Sequence, residues 1–353
     1  MPIYESNPYQ KLLLHNLKAL GLDVQEGGSG VFSILRSVIC NLGADAIHLH
    51  WLTPFLIGNS KIRTIAKSIL TILQLIILQL LKIKIVWTVH NLKNHENRFT
   101  NIERFFSRIV AKRADAILAH SESAKRDIRN AFDVDDQEKI AIIPHGNYLG
   151  YYKNTLTKEE SRSRLNLSPH NFTFLYFGKI RDYKGVQELI DSFIKLNKSD
   201  AKLIIAGKPN NNEISNSITY KARQNKNILL VLQLIPEDDI QLFMNAADVA
   251  VLPYRDVLTS GTLMLGMSFR KPIIAPRLGC IPDVLKNGGC FFYDPEDADG
   301  LFRAMKLSMT SKHHLQNMGD RNFILAQKNS WSLIARSIFK IYQNHLSDYT
   351  PSN

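Results

Sequence analysis

Residues 172–193 read FTFLYFGKIRDYKGVQELIDSF and carry the clearest information about the fold of this 353-residue chain. Six mostly apolar residues come first, a polar connection containing Gly178 and Gly185 follows, and the rest has the spacing of an amphipathic helix. A continuously apolar strand that leads into a helix is typical of a parallel sheet covered on both faces. The stretch therefore predicts a strand–turn–helix unit of an α/β domain.

The same pattern recurs along the chain in two series. Each apolar run is followed by a longer pattern with helical spacing. The runs occupy residues 46–51, 84–90, 116–121 and 139–146 in the first series, and 172–178, 201–207, 227–233, 248–254 and 271–276 in the second. Two such series predict two doubly wound sheets, and the polar segment 146–168 predicts the break between them.

Composition narrows the class of protein. Hydrophobic residues make up 45% of the chain and charged residues 22%, a balance that excludes a disordered or fibrous chain. Lysine and arginine exceed aspartate and glutamate by 44 to 32, so the net charge of +12 favours an anionic partner. Three cysteines without a Cys-x-x-Cys motif favour a reducing compartment. The first residues lack the pattern of a secretory signal, so we expect a cytoplasmic protein.

Polar and charged residues cluster where the predicted strands end. Ligands of open α/β sheets bind outside the carboxyl ends of the strands, so these residues are the candidates for function. The first set is His50, Trp51, His90, Asn91 and His120, and the second is Gly178, Lys179, Arg181, Lys184, Gly207, Lys208, Tyr254 and Ser260. The first set binds hydroxyls or transfers protons, whereas the second offers glycines and cations. We therefore expect an acceptor-binding half and an anion-binding donor half on two sides of a cleft.

The connection after residue 178 has the composition of a diphosphate site. Lys179, Arg181 and Lys184 precede a helix whose backbone N–H groups and dipole favour an anion. A solvated basic loop is the alternative interpretation. A second helix start contains Ser260, which is a good N-cap residue for structural reasons alone, and Gly261, which would let a phosphate or sugar approach the backbone.

Candidates for a catalytic base follow the strand at 84–90. A histidine or carboxylate among His90, His95 and Glu96 could accept a proton from an attacking hydroxyl, or it could satisfy buried polar groups. His48 and His50 share one face of a strand without a third ligand at metal-site spacing. The Asp-x-Asp pairs at 133–135 and 297–299 lie away from the donor strand ends. We therefore expect no metal site and no bound cofactor.

One stretch is apolar enough to contact lipid. Residues 68–81 (SILTILQLIILQLL) carry no charge but are fewer than the ~20 residues that span a bilayer. They predict a core helix or a helix lying in a membrane interface. Arg104, Arg108 and Lys112 recur every four residues as a basic stripe, which is either solvated or in contact with anionic lipid. These features raise the hypothesis of peripheral binding to the inner face of an anionic cell membrane.

Taken in order, several segments resemble one family: ADAILAHSESAKRDI (114–128), KIAIIPHGN (139–147), FGKIRDYKGV (177–186), AKLIIAGKP (201–209), AADVAVLPY (246–254) and NSWSLIARSIFKIY (329–342). Together they are similar to GT-B glycosyltransferases of the family 4 kind. HLHW, TVHNLKNHE, IRDYKG and LPYRDVLTSGTLMLGMSFRKPIIAP resemble most a bacterial exopolysaccharide branch that includes GDP-mannose-dependent β-mannosyltransferases acting on lipid-linked oligosaccharides. The resemblance implies an α/β GT-B fold with Rossmann-like domains at 1–147 and 148–333, and a helix at 334–353 that crosses back to the first.

The resemblance also implies roles for individual residues. Lys184 matches the lysine on the donor diphosphate, with Arg181 or Lys179 as its cationic partner. Gly178 matches the glycine beside the sugar phosphate, and His90 matches the histidine that faces the donor sugar. The wider donor site would include Gly207, Lys208, Tyr254, Ser260, Gly261, Thr262 and Leu263, the acceptor site His50, Trp51 and Asn91, and Trp331 would precede the last helix.

Two departures from the family pattern affect these roles. Family 4 members usually carry two glutamates that contact the sugar and the ribose, but Val257 and Leu265 occupy those positions here. Tyr254, Ser260 and Thr262 would have to replace both contacts. At the N-terminus the usual first strand and glycine loop are absent or begin late, and the NPY motif at 7–9 matches the entry to the first helix.

We expect a metal-independent glycosyltransferase that moves a hexose, with mannose as the first candidate, from a GDP- or UDP-linked donor. The acceptor would be a lipid-linked or free oligosaccharide in surface polysaccharide synthesis. Loss of both acidic positions, together with His95 and Glu96 on the acceptor side, favours inversion; a retaining family 4 mechanism is the alternative. An inactive scaffold is a third reading. A basic nucleic-acid-binding protein is disfavoured, because the cations are dispersed between apolar strands without a recognition helix or stacked-aromatic motif.

Overall fold

The chain folds into two compact units in a computed structural model that describes residues 8–28, 30–41 and 43–346. The first unit contains residues 1–146 and 330–353, and the second contains residues 147–329. The chain returns to the first unit at residue 330, four residues before the expected position 334. It returns early because Trp331 packs edge-on against Tyr9 of the first unit, with ring centroids 5.0 Å apart. Asn7 of the NPY motif lies outside the described residues.

The part of the chain before residue 147 alternates helices with short strands. Its elements are α1 (Pro8–Lys18), α2 (Ser33–Ile39), β1 (Ala46–Leu49), α3 (Thr53–Leu56), α4 (Lys61–Leu80), β2 (Lys84–Thr88), α5 (Thr100–Arg113), β3 (Ala116–Ala119), α6 (Glu122–Phe132) and β4 (Ile140–Ile142). The four strands are parallel in the order β1-β2-β3-β4, so their carboxyl ends lie along one edge of the sheet.

The rest of the chain repeats the alternation with longer strands. Its elements are α7 (Lys158–Arg164), β5 (Phe172–Phe177), α8 (Val186–Leu196), β6 (Ala201–Ala206), α9 (Asn212–Ala222), β7 (Ile228–Val231), α10 (Ile240–Ala246), β8 (Val249–Val251), α11 (Gly261–Ser268), β9 (Ile273–Pro276), α12 (Ile281–Val284), β10 (Cys290–Tyr293), α13 (Gly300–Thr310), α14 (Leu315–Gln327) and α15 (Trp331–Leu346). Short 3-10 turns lie at Asp182–Lys184, Glu237–Asp239 and Lys312–His314.

The sheet of the second unit has the doubly wound order. Its six parallel strands run β10-β9-β8-β5-β6-β7, so successive strands are added on one side of β5 and then on the other. The reversal creates a switch point between β5 and β8, and ligands of such sheets bind outside the carboxyl ends at that point. Two parallel sheets flanked by helices confirm the predicted α/β class, although the described strands of the first sheet follow the chain order without a reversal.

Two elements differ from the sequence prediction. The edge strand β10 was not predicted, because it is only four residues long and follows two glycines. The expected break at 146–168 contains helix α7, which begins with a capping box: the Thr157 hydroxyl accepts from the Glu160 amide, and the Glu160 carboxylate accepts from the Thr157 amide.

Each unit has its own apolar core. In the second, alternate residues of β5 and β6 pack against the apolar face of α8, with Phe174, Leu203 and Leu189 fully buried. In the first, α1 and α15 pack on the sheet through Leu13, Ile338 and their neighbours. Burying each such side chain contributes roughly 1.5 to 3 kcal/mol, so these cores hold the strand ends in fixed positions.

Candidate functional site

The loops at the switch point of the second unit approach one another through glycines. Gly207 follows β6 with φ +151°, and a Cβ atom there would collide with the carbonyl oxygen of Gly178, which follows β5. Gly185, with φ +65°, opens α8, and a Cβ atom there would collide with the Pro253 carbonyl after β8. These positions require glycine, since other residues rarely adopt such φ values and have no room for a side chain.

Four cations surround these glycines. Lys179 and Arg181 follow β5, Lys184 ends the next short turn, and Lys208 follows β6. Burial lowers the pKa of Lys179, and the positive charges of Arg181 and Lys208 lower it further, which indicates that the three side chains are close. The Lys184 ammonium lies 3.8 Å from the centre of the Tyr254 ring. Cations this close repel one another, and a bound diphosphate would offset that repulsion with its negative charge.

The start of α11 lies against the same loops. The Ser260 hydroxyl accepts from the Leu263 amide at 3.1 Å and lies 3.2 Å from the Tyr254 hydroxyl. A Cβ atom on Gly178 would lie 3.2 Å from the Thr262 hydroxyl, so the first turn of α11 approaches the β5 loop closely. The structure thus brings Gly178, Gly207, Lys184, Tyr254 and the 260–263 helix start together at the carboxyl edge. Gly261 begins the helix and adds no side chain.

The two positions of the missing glutamates differ in exposure. Leu265 is buried within α11, with 6% of its surface exposed, while Val257 is half-buried. Neither offers a hydrogen-bonding side chain. Of the three residues expected to replace the glutamates, Tyr254 and Ser260 are hydrogen-bonded to each other, and Thr262 lies beside Gly178.

In the first unit every strand of the sheet is followed by a histidine. His50, His90, His120 and His145 come one to three residues after β1, β2, β3 and β4, and all four are buried. Tyr9 of α1 contacts all four rings edge-on, with centroids 4.7 to 5.7 Å away. Trp51 stacks on His90 at 4.2 Å. We call His50, His90, His120, His145 and His48 the histidine cluster.

Hydrogen bonds fix the proton positions in the cluster. His120 Nδ1 lies 2.8 Å from the Ile143 carbonyl, which can only accept, so Nδ1 carries the proton of the neutral ring. His120 Nε2 then accepts from His90 Nδ1 at 3.3 Å, and His90 Nε2 accepts from His50 Nδ1 at 3.1 Å. These hydrogen bonds hold the rings of His120, His90 and His50 in one fixed order of donors and acceptors.

The histidine cluster is neutral at pH 7. Burial lowers the pKa of His120 to about 4 and the pKa values of His48 and His145 to about 3. Burial, assisted by neighbouring histidines, holds the pKa values of His50 and His90 well below their usual range. Both ring nitrogens of His90 are hydrogen-bonded within the cluster. His90 therefore lies at the strand end as a buried neutral ring held in one orientation.

The other two candidates for a catalytic base lie in the loop after β2. His95 and Glu96 are exposed, and Glu96 forms no ion pair or hydrogen bond within the described ranges. The loop is anchored by Glu103 of α5, whose carboxylate accepts from the backbone and side chain of Asn94 at 2.8 and 2.6 Å. Burial raises the pKa of Glu103. The Asn91 side chain donates to the Lys93 carbonyl within the same loop.

Helix α4 buries several polar side chains and exposes many apolar ones. It buries a polar stripe: the Ser68 and Thr71 hydroxyls donate to the carbonyls of Leu56 and Phe55 at 3.0 and 2.9 Å, and Gln74 donates to another carbonyl at 2.9 Å. Ile72, Leu75 and Leu78 are buried beside this stripe. Other apolar side chains of α4 are exposed, among them Ile62, Ile65, Ile69, Leu73, Ile77 and Leu80.

The apolar stretch at 68–81 belongs to a longer helix than predicted. Ser60 caps the helix seven residues upstream of Lys67, and α4 reaches 20 residues. By length and composition α4 is long and apolar enough to cross a membrane, a test that buried core helices also pass; 39% of its apolar window is buried. Within the basic stripe on α5, Arg108 pairs with Asp133 at 3.1 Å, while Arg104 and Lys112 are exposed.

Comparison with known proteins gives the family. Residues 157–323 match the model described as glycosyl transferases group 1, and residues 29–147 match the Glycosyltransferase Family 4 model. A GDP-mannose:glycolipid 4-beta-D-mannosyltransferase of Xanthomonas campestris pv. campestris is 30% identical over 74% of this chain and 70% of its own length. The chain belongs to the GT-B glycosyltransferases. It is therefore an enzyme, and it is similar to mannosyltransferases.

Solved structures support the fold of this glycosyltransferase. A sucrose-phosphate synthase from Thermosynechococcus elongatus superposes with a TM-score of 0.74 at 15% identity, covering 99% of this chain and 82% of that one. Anabaena Alr3699/HepE in complex with UDP and glucose superposes with a TM-score of 0.70 at 15% identity, covering 88% and 81%.

Sequence reasoning missed several residues that organise the glycosyltransferase's strand ends. Tyr9, His145 and Glu103 were not among the predicted site residues, although Tyr9 and His145 contact predicted rings and Glu103 anchors the loop that carries His95 and Glu96. His145 had the signal that identified His120, a histidine just after an apolar run. Tyr9 belongs to the NPY motif, which marked a helix entry but no contact with the strand ends, and Glu103 had no signal. Among the described residues, no group of three or more histidine, cysteine or carboxylate side chains could hold a metal ion.

Proposed function

We propose that this glycosyltransferase transfers a hexose, with mannose as the first candidate, from a nucleotide diphosphate sugar to a lipid-linked or oligosaccharide acceptor in surface polysaccharide synthesis. The observation that carries the proposal is the switch-point assembly of the second unit, where glycines and four cations converge. A relative 30% identical is named for GDP-mannose as donor and a glycolipid as acceptor.

The cations do the work that a metal ion does in other transferases. When the bond between C1 of the sugar and the diphosphate breaks, negative charge develops on the leaving phosphate. Lys184, Arg181 and Lys179 supply positive charge and hydrogen-bond donors for that oxygen. Activity should therefore persist in excess EDTA, and loss of activity that Mg²⁺ or Mn²⁺ restores would contradict this part of the proposal. A GDP- or UDP-linked donor presents the same diphosphate to these residues.

We expect transfer with inversion at C1. An acceptor hydroxyl attacks C1 from the face opposite the diphosphate, its proton passes to a base, and the diphosphate leaves. Glu96 is the first candidate for that base, with His95 as the second, because both are exposed on the loop that follows β2. His90 orients the strand end from within the histidine cluster. A retaining mechanism, which needs no such base, is the alternative.

Binding sites for the acceptor would lie at the carboxyl edge of the first unit. Trp51 offers an aromatic ring, His50 a neutral imidazole and Asn91 an amide. Aromatic faces and neutral hydrogen-bonding groups suit sugar hydroxyls, whereas an anionic ligand would be bound better by the cations of the second unit.

A lipid-linked acceptor makes membrane contact useful, and α4 offers a surface for it. The exposed side chains of Ile62, Leu73 and Leu80 are 80%, 49% and 78% accessible, and Phe32, which directly precedes the neighbouring α2, is 62% accessible. Contiguous apolar patches of this kind mark interaction sites. Lys61, Arg63, Arg104 and Lys112 supply positive charge to the same unit, which favours the inner, anionic face of a cell membrane as the partner.

The test of function is a panel of nucleotide sugars incubated with the purified chain. We expect one GDP- or UDP-linked hexose to raise the melting temperature and to release its nucleotide in the presence of a lipid-linked oligosaccharide fraction. Failure of every donor in both assays would contradict the proposal and favour an inactive scaffold.

The test of membrane contact is co-sedimentation with vesicles of phosphatidylglycerol and phosphatidylcholine. Replacing Ile69 and Leu73 by serine should lower the bound fraction on anionic vesicles, because both side chains are exposed and neither fills the core. Leu307→Ser, an exposed leucine of the second unit, is the matched control and should bind like wild type. Equal binding of all variants, or equal binding to neutral and anionic vesicles, would contradict this localisation.

A further inference from the structure

A cavity of about 540 Å³ opens in the second unit at the edge opposite the donor loops. Its walls include Phe172, Asp248 and Pro272, which lie at the amino ends of β5, β8 and β9. Gly178 and Tyr254 lie at the carboxyl ends of the same strands. Since β5 has six residues and a strand rises about 3.3 Å per residue, the two edges are ~20 Å apart.

Positive charge dominates the walls of the cavity. Five cationic side chains line it against one carboxylate, a formal excess of four charges; they are Lys158, Arg162, Arg270, Lys271 and Lys312, with Asp248 as the acid. Asp248 is already engaged: it accepts from the guanidinium of Arg162 at 2.7 Å, from the ammonium of Lys158 at 2.6 Å and from the Thr173 amide at 2.7 Å. Arg270 pairs with Asp320, which is not among the cavity walls, at 2.8 Å.

Lys271 and Lys312 are the cations with capacity to bind a ligand. The Lys271 ammonium donates to the Ala247 carbonyl at 3.1 Å and forms no ion pair within the part of the chain that the structure describes. Lys312 lies 5.6 Å from the centre of the Phe172 ring and likewise has no carboxylate partner among the described residues. Arg162, by contrast, donates from all three nitrogens to two carbonyls and Asp248.

Lys271 lies in an environment that disfavours its charged form. Burial is the main cause, and together with the positive charges of Lys158 and Arg162 it lowers the pKa of Lys271 to about 8, although Asp248 acts in the opposite direction. A partly buried ammonium without an ion-pair partner is costly, so an anion beside it would be stabilised.

We propose that this cavity is a second ligand site of the enzyme, separate from the donor site, which binds a small molecule carrying phosphate groups through Lys271 and Lys312. The volume is that of a small-molecule pocket, and the walls combine cations with apolar side chains such as Phe172 and Leu315. Phosphate oxygens match lysine and arginine donors and would neutralise the excess charge. A ligand bound here would contact the amino ends of β5 and β8. It would therefore influence the donor loops through these strands and would not compete with the donor for its site.

Calorimetric titration with inorganic pyrophosphate tests the proposal. Lys184→Met weakens the donor site, so that binding in the cavity makes up a larger share of the measured signal. In that background we expect binding to persist, and to fall by about tenfold or more when Lys271→Met or Lys312→Ala is added, because each removes one charged donor. Lys306→Ala, an exposed lysine of α13 outside the cavity, is the matched control and should leave binding unchanged.

The outcomes separate the possibilities. Absence of pyrophosphate binding in Lys184→Met, or equal binding by the cavity variants and the control, overturns the proposal for a free phosphate ligand. Loss of binding to phosphatidylglycerol vesicles in Lys271→Met, without any pyrophosphate binding, assigns the cavity to a lipid phosphate instead. Folding is checked by thermal melting: Lys312 is exposed, so Lys312→Ala should melt like wild type and keeps the test valid if Lys271→Met is poorly folded.

Discussion

Replacing Lys184 by methionine should separate the binding of the diphosphate from the binding of the nucleoside. The Lys184 ammonium lies over the Tyr254 ring and has no carboxylate partner among the described residues, so its hydrogen-bond donors serve the ligand. A hydrogen bond to a charged group is worth roughly 1.5 to 3 kcal/mol, which corresponds to a loss of about 10- to 150-fold in affinity for GDP or UDP. Methionine keeps the apolar stem against the ring.

The structure also predicts what should not change. A half-exposed cation–π contact is worth only about 0.5 to 1 kcal/mol, so the melting temperature of Lys184→Met should stay near that of wild type. Calorimetry with the diphosphate and with the corresponding nucleoside measures the difference, and Lys184→Arg serves as the charge-preserving control. Equal weakening for nucleoside and nucleotide, or unchanged affinity for both, would refute the assignment of Lys184 to the diphosphate.

Three further outcomes follow from the geometry. Glu96→Gln should lower turnover by about 10²- to 10⁴-fold while nucleotide affinity stays constant, and near-normal turnover would remove Glu96 from the role of base. Asp248→Ala should lower the free energy of unfolding by about 3 kcal/mol in denaturant titrations, because it leaves the buried guanidinium of Arg162 without its carboxylate; a change below about 1 kcal/mol contradicts this. The histidine cluster should make the folded chain less stable in acid. His120 has a pKa of about 4 in the folded chain and 6.5 in the unfolded chain, so the unfolded chain takes up the proton first as the pH decreases. The free energy of unfolding therefore decreases as the pH decreases below 6.5. Scanning calorimetry should show a lower melting temperature at pH 5.5 than at pH 7.5, a smaller difference in His120→Gln, and a flat profile would contradict the buried neutral assignment.

The fold could be predicted because each strand carries its own signal. Runs such as 172–178 and 201–207 are apolar throughout, and their ends coincide with β5 and β6 to within one residue. The edge strand β10 lacked that signal, since Cys290–Tyr293 is too short to show a period. The second series of strands and helices also predicted a parallel sheet. It did not predict the order of the strands, because that order depends on pairing between segments far apart in sequence.

The candidate sites could be predicted only in part. Strand-end position was enough to select Gly178, Lys184 and His90, because parallel strands bring their carboxyl ends to one edge whatever the details of packing. It could not find Tyr9, which enters the histidine cluster from α1.

Helix α4 shows a different limit of the sequence prediction. Counting apolar residues in 68–81 suggested a core helix or a helix lying in a membrane interface, yet the buried face contains Ser68, Thr71 and Gln74 as well as leucines. Each buried hydroxyl finds a backbone carbonyl of the preceding segment, and such pairings exist only in the folded chain.

Transfer from a single nucleotide sugar to a lipid-linked oligosaccharide, with the product examined by NMR, tests the central claim most directly. From an α-linked donor such as GDP-mannose we predict a β-linked hexose on the acceptor, because direct attack by a deprotonated hydroxyl inverts C1. An α-linked product would contradict inversion and favour the retaining mechanism. Absence of any glycosylated acceptor with every nucleotide sugar of the panel would contradict the proposed hexose transfer itself.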